Sequence, residues 1–479
     1  MHSPGNSSVQ GIVASRKSEA TSGLYVLLLA SVAALGGFLF GFDSGVINGT
    51  VDALERTFAS GAIGTGFSVA SILLGCAAGA FFAGALADRF GRKPVMLMTA
   101  IVFALSSFGA GLANTASFFI AARILGGLAI GAASVIAPTY IAEIAPAHLR
   151  GRLASLQQLA IVIGLFAAFV SNYSLANWAG SASAPLFLGL AAWRWMFWVG
   201  ALPALAFLLG SLSIPESPRY LVAQGLDDEA AKVFAATLRG DARAKVREVR
   251  ESLRGGGKPR LRDLLDPQTR RVVPAVWIGI GLATFQQFVG INVIFYYGSV
   301  LWQAAGFSEG EALWTNVITG AANTLSTFVA IALIDRLGRR PLLLIGSLGM
   351  ALSLGGMALI FARGGLGSEG QLQLDTGSAT TALWLANFYI FFFAASWGPV
   401  VWVLLGEMFS NRVRGAAMAA AVALHWIANF SVTMTFPVLL RILGLAAAYG
   451  IYASAAFISF FFVLRWVRET KGTQLEEMR

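Results

Sequence analysis

Uncharged amides, tryptophans and one histidine interrupt several long apolar stretches of this sequence. They are Gln157, Gln158, Gln286, Gln287, Asn292, Asn323, Trp397, Trp402, His425, Trp426 and Asn429. An amide both donates and accepts hydrogen bonds, and it is costly in apolar surroundings unless it is paired or faces a wet cavity. So many of these groups indicate a cavity with hydrogen-bonding walls. The alternative is that the amides only tie helices together.

Two opposite charges also lie well inside apolar stretches, Asp43 and Arg123. An unpaired charge there is expensive, so we expect the two to form an ion pair. Desolvation raises the pKa of a carboxyl group and a nearby guanidinium lowers it, so movement of Arg123 relative to Asp43 would change the affinity of Asp43 for a proton. The pair therefore predicts proton coupling, with a purely structural ion pair as the alternative.

The elements that must position these residues are membrane-spanning helices. The chain is 57% hydrophobic and 12% charged, whereas soluble domains carry about 25% charged residues. Apolar stretches of roughly 20 residues, continuous and without alternation, predict helices that cross a bilayer. We number them as spans 1 to 12: 24–47, 66–87, 95–113, 117–142, 153–174, 195–214, 273–302, 313–334, 341–361, 383–406, 415–438 and 446–467.

Span 7 carries two of the amides on opposing sides. Gln286 and Asn292 are six residues apart, about 240° around an ideal helix. One straight helix could not aim both at one point, so we expect Gly290 to break it. Such a broken helix exposes backbone and side chains to a ligand near the middle of the membrane.

The net charge of +10 is explained by topology. Basic residues lie at span ends and not in one patch with interleaved aromatics, so nucleic acid is not an expected partner. A cytoplasmic N-terminus leaves 29 of the 34 Lys and Arg residues inside, as the positive-inside rule requires. We predict a multi-pass inner-membrane protein in contact with the lipid bilayer, with both termini cytoplasmic.

Enzyme chemistry is not expected. The single cysteine, Cys76, excludes disulfides within one chain, and His2, His148 and His425 are scattered. The sequence contains no metal-ligand cluster, nucleophile–base constellation or phosphate loop, so we predict no cofactor and no metal.

The chain divides at a polar segment between two groups of six spans. We predict a cytoplasmic N-terminal tail (1–23), a first six-helix bundle (24–214), a cytoplasmic linker (215–272), a second bundle (273–467) and a cytoplasmic C-terminal tail (468–479). Apolar residues at helical spacing in the linker indicate short amphipathic helices; a disordered charged loop is the alternative.

Three charged motifs occur twice, about 250 residues apart and in the same order, which indicates two similar halves. Ala87–Pro94 recurs as Ile334–Pro341 with the pattern Asp-Arg-x-Gly-Arg. At the cytoplasmic ends of spans, such residues can form charge-assisted contacts between helices. We predict a charge latch that holds one half against the other, made of Asp88, Arg89, Arg92, Glu143, Arg150, Glu216, Asp335, Arg336, Arg339, Glu407, Arg414 and Glu469.

With these motifs the chain resembles the sugar porters of the major facilitator superfamily over essentially its whole length. The resemblance rests on Gly36–Asp43, the two Asp-Arg-x-Gly-Arg loops, Tyr140–Glu143 and Pro215–Arg219. The segments Gln286–Asn292 and Ser396–Pro399 look particularly like bacterial D-xylose and glucose:proton symporters. The resemblance implies an all-α membrane fold of twelve transmembrane helices, in two pseudo-symmetric six-helix bundles with a cytoplasmic helical linker, around a central sugar site.

The resemblance also implies which residues bind sugar and which close over it. The sugar-binding candidates are Phe40, Gln158, Gln286, Gln287, Asn292, Asn323, Trp397, His425 and Trp426. His425 departs from the pattern, because relatives usually carry an amide there; a neutral imidazole and a pH-sensing one are both open. Tyr296 and Tyr297 are expected to form a gate, with anchoring at the membrane interface as the alternative.

The predicted function is proton-coupled symport of a monosaccharide, a hexose or pentose, by alternating access. The resemblance implies that the acid at Asp43 marks proton symporters, although some facilitators keep it. A facilitative uniporter of the same fold is the alternative, and a non-transporting sugar sensor is a remote one. We expect monosaccharide and protons as the ligands, and the two halves make a monomer sufficient.

Overall fold

The structure is a computed structural model of the chain that describes residues 6–146, 149–238, 241–255, 264–265, 270–366, 372–409 and 413–471. It contains eleven helical stretches that are long and apolar enough to cross a membrane. Many of their large apolar side chains, such as Phe81 and Leu352, are exposed, as expected for groups that face lipid. The all-α membrane fold predicted from the sequence is confirmed.

The first half contains spans 1 to 6. Span 6 is a pair of helices, α7 and α8, that continue one another. The helices are α1 (Asn6–Asn48), α2 (Val51–Phe58), α3 (Ala62–Phe90), α4 (Arg92–Leu112), α5 (Ala116–Ile144), α6 (Arg150–Ala179), α7 (Ala192–Val199) and α8 (Ala201–Ser213), with a 3₁₀ turn at Phe187–Gly189.

A small helical unit follows the first half. It consists of α9 (Pro218–Ala223), α10 (Asp227–Thr237) and α11 (Ala242–Gly255). These helices bury an apolar cluster of their own that includes Phe234 and Val246. The amphipathic spacing thus correctly predicted helices between the halves.

The second half contains spans 7 to 12. Spans 7 and 10 are each interrupted within the membrane, and a short hairpin follows α15. The elements are α12 (Pro274–Phe288), α13 (Ile291–Ala304), α14 (Glu309–Leu337), α15 (Arg339–Arg363), β1 (Gly365–Leu366), β2 (Leu372–Gln373), α16 (Thr376–Phe392), a π-helical turn (Phe393–Trp397), α17 (Gly398–Met408) and α18 (Arg414–Trp466).

Two glycines with positive φ interrupt the helices of the second half. Gly290, at φ +84°, separates α12 from α13, where the sequence predicted a break. Gly444, at φ +76°, lies inside α18, whose apolar part is 51 residues long. A straight helix of that length would measure about 75 Å, over twice the hydrocarbon core of about 30 Å. Gly444 therefore divides α18 into spans 11 and 12, and the crossings number twelve.

The contacts between the halves follow the repeat. Span 2 (α3) packs on span 11 of α18, and span 5 (α6) packs on span 8 (α14). A shift of six spans converts one of these interfaces into the other, as two pseudo-symmetric halves require. A third contact joins α1 to α13.

The molecule has two ends, which we name by their loops. The motif end carries the two Asp-Arg-x-Gly-Arg loops, between α3 and α4 and between α14 and α15. The hairpin end is opposite and carries α2 and the β1–β2 hairpin. The candidate site lies between these ends, where α12, α13, α18 and α1 approach one another.

Candidate functional site

The two charges inside the spans meet within the first half. Arg123 on α5 donates from Nη1 to Oδ1 of Asp43 on α1, and its guanidinium lies 5.7 Å from the centre of the Phe197 ring. Arg123 is 1% exposed and Asp43 is 8% exposed. While both groups are charged, separating such a buried pair is costly, because it leaves two uncompensated buried charges. The charge state of Asp43 therefore decides how strongly the two helices are held together.

Amides and aromatic rings of both halves form a second group, which we call the amide–aromatic cluster. The carboxamide nitrogen of Asn292 donates to the carboxamide oxygen of Gln287, and the Gln287 side chain contacts the ring of His425. Trp402 and Trp426 lie against His425 edge to face. Phe40 of α1 contacts Trp426 in the same way, at 5.7 Å between ring centres. The cluster therefore joins α1 of the first half to α13 and α18 of the second.

The contact between Gln287 and His425 is made at the ring nitrogens of the imidazole. The Gln287 amide nitrogen lies 3.2 Å from Nδ1 and 3.5 Å from Nε2 of His425. The tautomer of the imidazole decides which of its nitrogens accepts this hydrogen bond.

Three buried polar atoms among the candidate site amides and tryptophans have no hydrogen-bond partner among the described residues. Two are acceptors, Oε1 of Gln157 and Oε1 of Gln286, and one is a donor, Nε1 of Trp426. An unsatisfied buried polar group costs about 1–3 kcal/mol, so such groups call for a ligand or ordered water. Free donors and acceptors together with aromatic rings match the hydroxyls and C–H faces of a polyol.

The break in span 7 directs its amides to different neighbours. Gln286 on α12 donates to the carbonyl oxygens of Trp397 and Gly398, where the π-helical turn passes into α17. Asn292 on α13 instead bonds to Gln287. The hydroxyl of Tyr389 donates to the carbonyl of Val289 at the break and satisfies it. The break therefore lets Gln286 bond to the end of the π-helical turn while Asn292 bonds back to Gln287 on α12.

Among the described residues, no hydrogen bond or ring contact joins the side chains of the other predicted site residues to the cluster. The Trp397 indole is fully buried and donates to the Leu343 carbonyl and the Ser347 hydroxyl on α15. Asn323 is buried on α14, and Gln158 is half-buried beside Gln157. Gln157, not its neighbour, packs against Gly37 of α1. The sugar-binding roles of these residues stay predictions.

The two predicted gate tyrosines are buried in α13. Tyr296 is 3% exposed and its hydroxyl faces the side chains of Ser44 and Asn429. Tyr297 is fully buried and donates to the carbonyl of Thr433 on α18. Its φ and ψ of −121° and 16° are not helical, so α13 is distorted at this residue. Neither ring lies at an exposed surface of this conformation.

The repeated charged motifs form one cluster in each half. In the first half, Arg92 makes a two-pronged contact to Glu143, and the backbone N–H groups of Arg92 and Lys93 donate to Glu216. Asp88 lies 3.5 Å from the Arg92 guanidinium, and the Arg89 guanidinium stacks on the ring of Phe90.

The second half repeats this arrangement. Arg339 makes the two-pronged contact to Glu407, and its backbone N–H donates to Glu469. Lys471 donates to the carbonyl of Arg336. The side chains of Arg150, Asp335 and Arg414 lie outside the described residues. The contacts described above lie within one half or the other, and a latch across the halves stays a prediction.

A polar contact between the halves at the hairpin end was missed by the sequence analysis. Asn48 on α1 bonds to Ser299 on α13 and to Asn316 on α14. Nearby, Gln303 donates to Asp52, and Arg441 pairs with Glu55. An asparagine at the end of an apolar span was the available signal. The halves are thus tied together at the hairpin end.

Comparison with known proteins extends over nearly the whole chain. The sequence model of the family described as "Sugar (and other) transporter" matches residues 29–479. A glucose transport protein of Synechocystis is 53% identical over 457 residues, which are 95% of this chain and 97% of the relative. The D-xylose-proton symporter of Escherichia coli is 38% identical over 491 residues, and the match covers 95% of each chain.

Solved structures agree with the sequence comparison. The inward open conformation of the E. coli xylose transporter XylE matches with a TM-score of 0.79 at 35% identity, over 95% of this chain and 99% of that one. Its partially occluded inward open conformation gives 0.80 at 34% identity, over 94% and 99%. The protein is therefore a multi-pass membrane transporter and not an enzyme. It belongs to the sugar porter family of the major facilitator superfamily, as the twelve helices and paired motifs already suggested.

Proposed function

We propose that the protein is a proton-coupled monosaccharide symporter that works by alternating access. The observation that carries the proposal is the buried pair of Asp43 and Arg123, in which Asp43 lies on the same helix, α1, as Phe40. Phe40 and Asp43 are three residues apart on α1, so they are neighbours on the helix surface. A proton site and a sugar site that share one helix can respond to each other when that helix moves.

The sugar is held by the amide–aromatic cluster and the unsatisfied atoms around it. A monosaccharide hydroxyl can donate to Oε1 of Gln286 and accept from Nε1 of Trp426, which leaves neither buried group unpaired. The ring of Phe40 and the indole of Trp426 supply apolar faces. The Synechocystis relative is named for glucose and the E. coli relative for xylose, which supports a hexose or pentose as the substrate.

Proton coupling follows from the charge state of Asp43. When Asp43 is ionised, Arg123 holds α1 against α5. Protonation removes the charge that Arg123 compensates, so the ion pair is lost and α1 is released to move with bound sugar. The name of the E. coli relative, a D-xylose-proton symporter, supports this coupling. We place the motif end and both termini in the cytoplasm, and a single chain holds all the proposed parts.

A uniporter would use the same sugar site without the proton. The experiment that separates the two measures uptake of radiolabelled glucose and xylose into proteoliposomes under an imposed inward proton gradient. Wild type is compared with Asp43→Asn, and with Asp241→Asn, an exposed linker carboxylate, as the control. Symport predicts accumulation above equilibrium by wild type and the control, and only equilibration by Asp43→Asn. Uptake by wild type that ignores the gradient would establish a uniporter.

A further inference from the structure

One side chain of the first half makes four hydrogen bonds to the second half at the hairpin end. Asn48, the last residue of α1, is fully buried. Its Nδ2 donates to the carbonyls of Phe295, at 3.0 Å, and Ile294, at 3.3 Å. Its Oδ1 accepts from the backbone N–H of Ser299, at 3.1 Å, and from Nδ2 of Asn316, at 2.8 Å. The carboxamide therefore uses both donors and both lone pairs, with three bonds to α13 and one to α14.

Two of these bonds engage backbone groups that an ideal helix joins to each other. In an α-helix the N–H of Ser299 donates to the carbonyl of Phe295, four residues earlier. In α13 the intervening Tyr297 has non-helical angles, and Asn48 bonds to both members of the pair. From the opposite half of the molecule, the amide of Asn48 thus bonds to two backbone groups of α13 on either side of the distorted residue.

The approach of Asn48 requires a glycine in that turn. A Cβ on Gly298 would lie 2.2 Å from Oδ1 of Asn316 and 2.8 Å from Nδ2 of Asn48, closer than real contacts allow. The hydroxyl of Ser299 also donates to the backbone carbonyl of Asn48. The absence of a side chain at Gly298 therefore leaves room beside this turn for the carboxamides of Asn48 and Asn316.

We propose that Asn48 is a positioning residue that acts as a wedge in α13 and holds the hairpin end closed. This inference rests on the proposed alternating access, in which the hairpin end must open. When Asn48 withdraws, the Ser299 N–H and the Phe295 carbonyl can bond to each other instead. Because the backbone groups are satisfied in both states, the exchange costs little and is reversible. The wedge is a switch between two pairings and not a permanent clamp.

A second buried asparagine provides a matched comparison within the same chain. Asn172 on α6 is 1% exposed and donates to the carbonyls of Gly45 and Val46 on α1. It also bonds the backbone near the end of α1, but both partners belong to the first half. Removal of Asn172 therefore perturbs the packing of α1 without releasing one half from the other.

The experiment measures how often the hairpin end opens. Thr65 on α3 is 3% exposed and lines a cleft of about 210 Å³ between the halves, together with Tyr297 and Phe436. In a Cys76→Ala background, which removes the single native cysteine, Thr65→Cys provides a thiol that reacts with maleimide only when the cleft opens. The labelling rate in detergent is compared for the parent and for Asn48→Ala, Asn48→Asp, Asn316→Ala and Asn172→Ala.

The wedge predicts that Asn48→Ala raises the labelling rate about tenfold or more, since several bonds between the halves are lost. Asn48→Asp is expected to do the same, because it turns the donor that faces Ile294 and Phe295 into an acceptor. Asn316→Ala is expected to give a smaller rise, and Asn172→Ala less than about twofold.

Equal rates for Asn48→Ala and the parent overturn the wedge, and so does an equal rise in Asn172→Ala. If Asn48→Ala does not elute as a monodisperse protein, Asn48→Asp decides by the same criteria. Loss of proton-driven uptake with this labelling pattern intact would overturn symport alone. The failures of the two proposals are therefore distinguishable.

Discussion

At the scale of the residue, the candidate site is defined by polar atoms that the fold buries without partners. The Trp426 ring contacts Phe40 and its indole N–H is unpaired, while His425 beside it bonds to Gln287. A buried donor without a partner is a cost that a bound hydroxyl removes. These side chains are thus more costly in the empty site than in the occupied one.

This reasoning predicts the effect of removing one donor. Trp426→Phe keeps an aromatic ring near Phe40 but deletes the indole N–H. We expect the dissociation constant for the transported sugar to rise about threefold to tenfold, as the loss of one hydrogen bond implies. Equilibrium binding of radiolabelled sugar to purified protein measures this dissociation constant. Trp384→Phe, the same change at a 62% exposed indole, is the control and should bind like wild type. Unchanged affinity in Trp426→Phe would remove this donor from the site.

At the scale of the element, interrupted helices give the site its shape. The break at Gly290 lets α12 and α13 face different partners, and the π-helical turn Phe393–Trp397 offers carbonyls to Gln286. At the break itself, the carbonyl of Val289 accepts from the hydroxyl of Tyr389. The interruptions therefore bring backbone carbonyls into contact with side chains of other helices.

The break also makes Gly290 hard to replace. Its left-handed backbone costs other residues about 1–2 kcal/mol, and an added Cβ would lie 2.6 Å from the Tyr452 ring. We expect Gly290→Ala to lower the thermal unfolding temperature in detergent. Gly310→Ala, in the first turn of α14 with no atom within 4 Å of the added Cβ, is the control and should match or exceed wild type. A Gly290→Ala protein as stable as the control would contradict the packing seen here.

At the scale of the whole molecule, the two halves carry the same charged cluster, but the pKa values of the equivalent acids, Glu216 and Glu469, shift in opposite directions. Burial raises the pKa of Glu216, despite backbone N–H groups that donate to it. Burial alone would also raise the pKa of Glu469, yet four backbone N–H groups together hold that pKa below its ordinary value of 4.5. Folding thus raises the pKa at this motif position in the first half and lowers it in the second.

The two halves should therefore respond oppositely to acid. A carboxyl group whose pKa is lowered by folding stabilises the fold above pH 4.5, and that contribution is lost as pH falls through the lowered pKa. We expect Glu469→Gln to lower the unfolding temperature at pH 7 and to converge with wild type in acid. Glu216→Gln removes a charge that folding disfavours, so it should be neutral or stabilising at pH 7. Unfolding temperatures of both variants across pH 3.5 to 7 test this, and identical profiles would contradict it.

Much of the fold follows from local sequence. In lipid, an apolar stretch must satisfy its backbone hydrogen bonds internally and therefore forms a helix, so the apolar stretches alone predicted the spans. The repeat of Ala87–Pro94 as Ile334–Pro341 predicted two halves. The six-residue spacing of Gln286 and Asn292 predicted the break at Gly290. At 100° per residue, one straight helix would point these two side chains in different directions. The positions of Asp43 and Arg123 inside apolar spans predicted that they pair, since an unpaired buried charge is strongly destabilising.

Only the tertiary structure decided which side chains of different helices contact each other, and at which end of the molecule the two halves are tied together. Consecutive residues on a helix point about 100° apart, so only the packing of α6 on α1 selects Gln157, and not Gln158, to face Gly37. The bonds of Asn48 to α13 and α14 join residues about 250 apart in sequence, through a distorted turn that has no local signal. The sequence by itself determined the helices, their repeat and the polar groups that must find partners. The tertiary structure chose those partners and closed the hairpin end, because such contacts depend on how whole helices are rotated and paired.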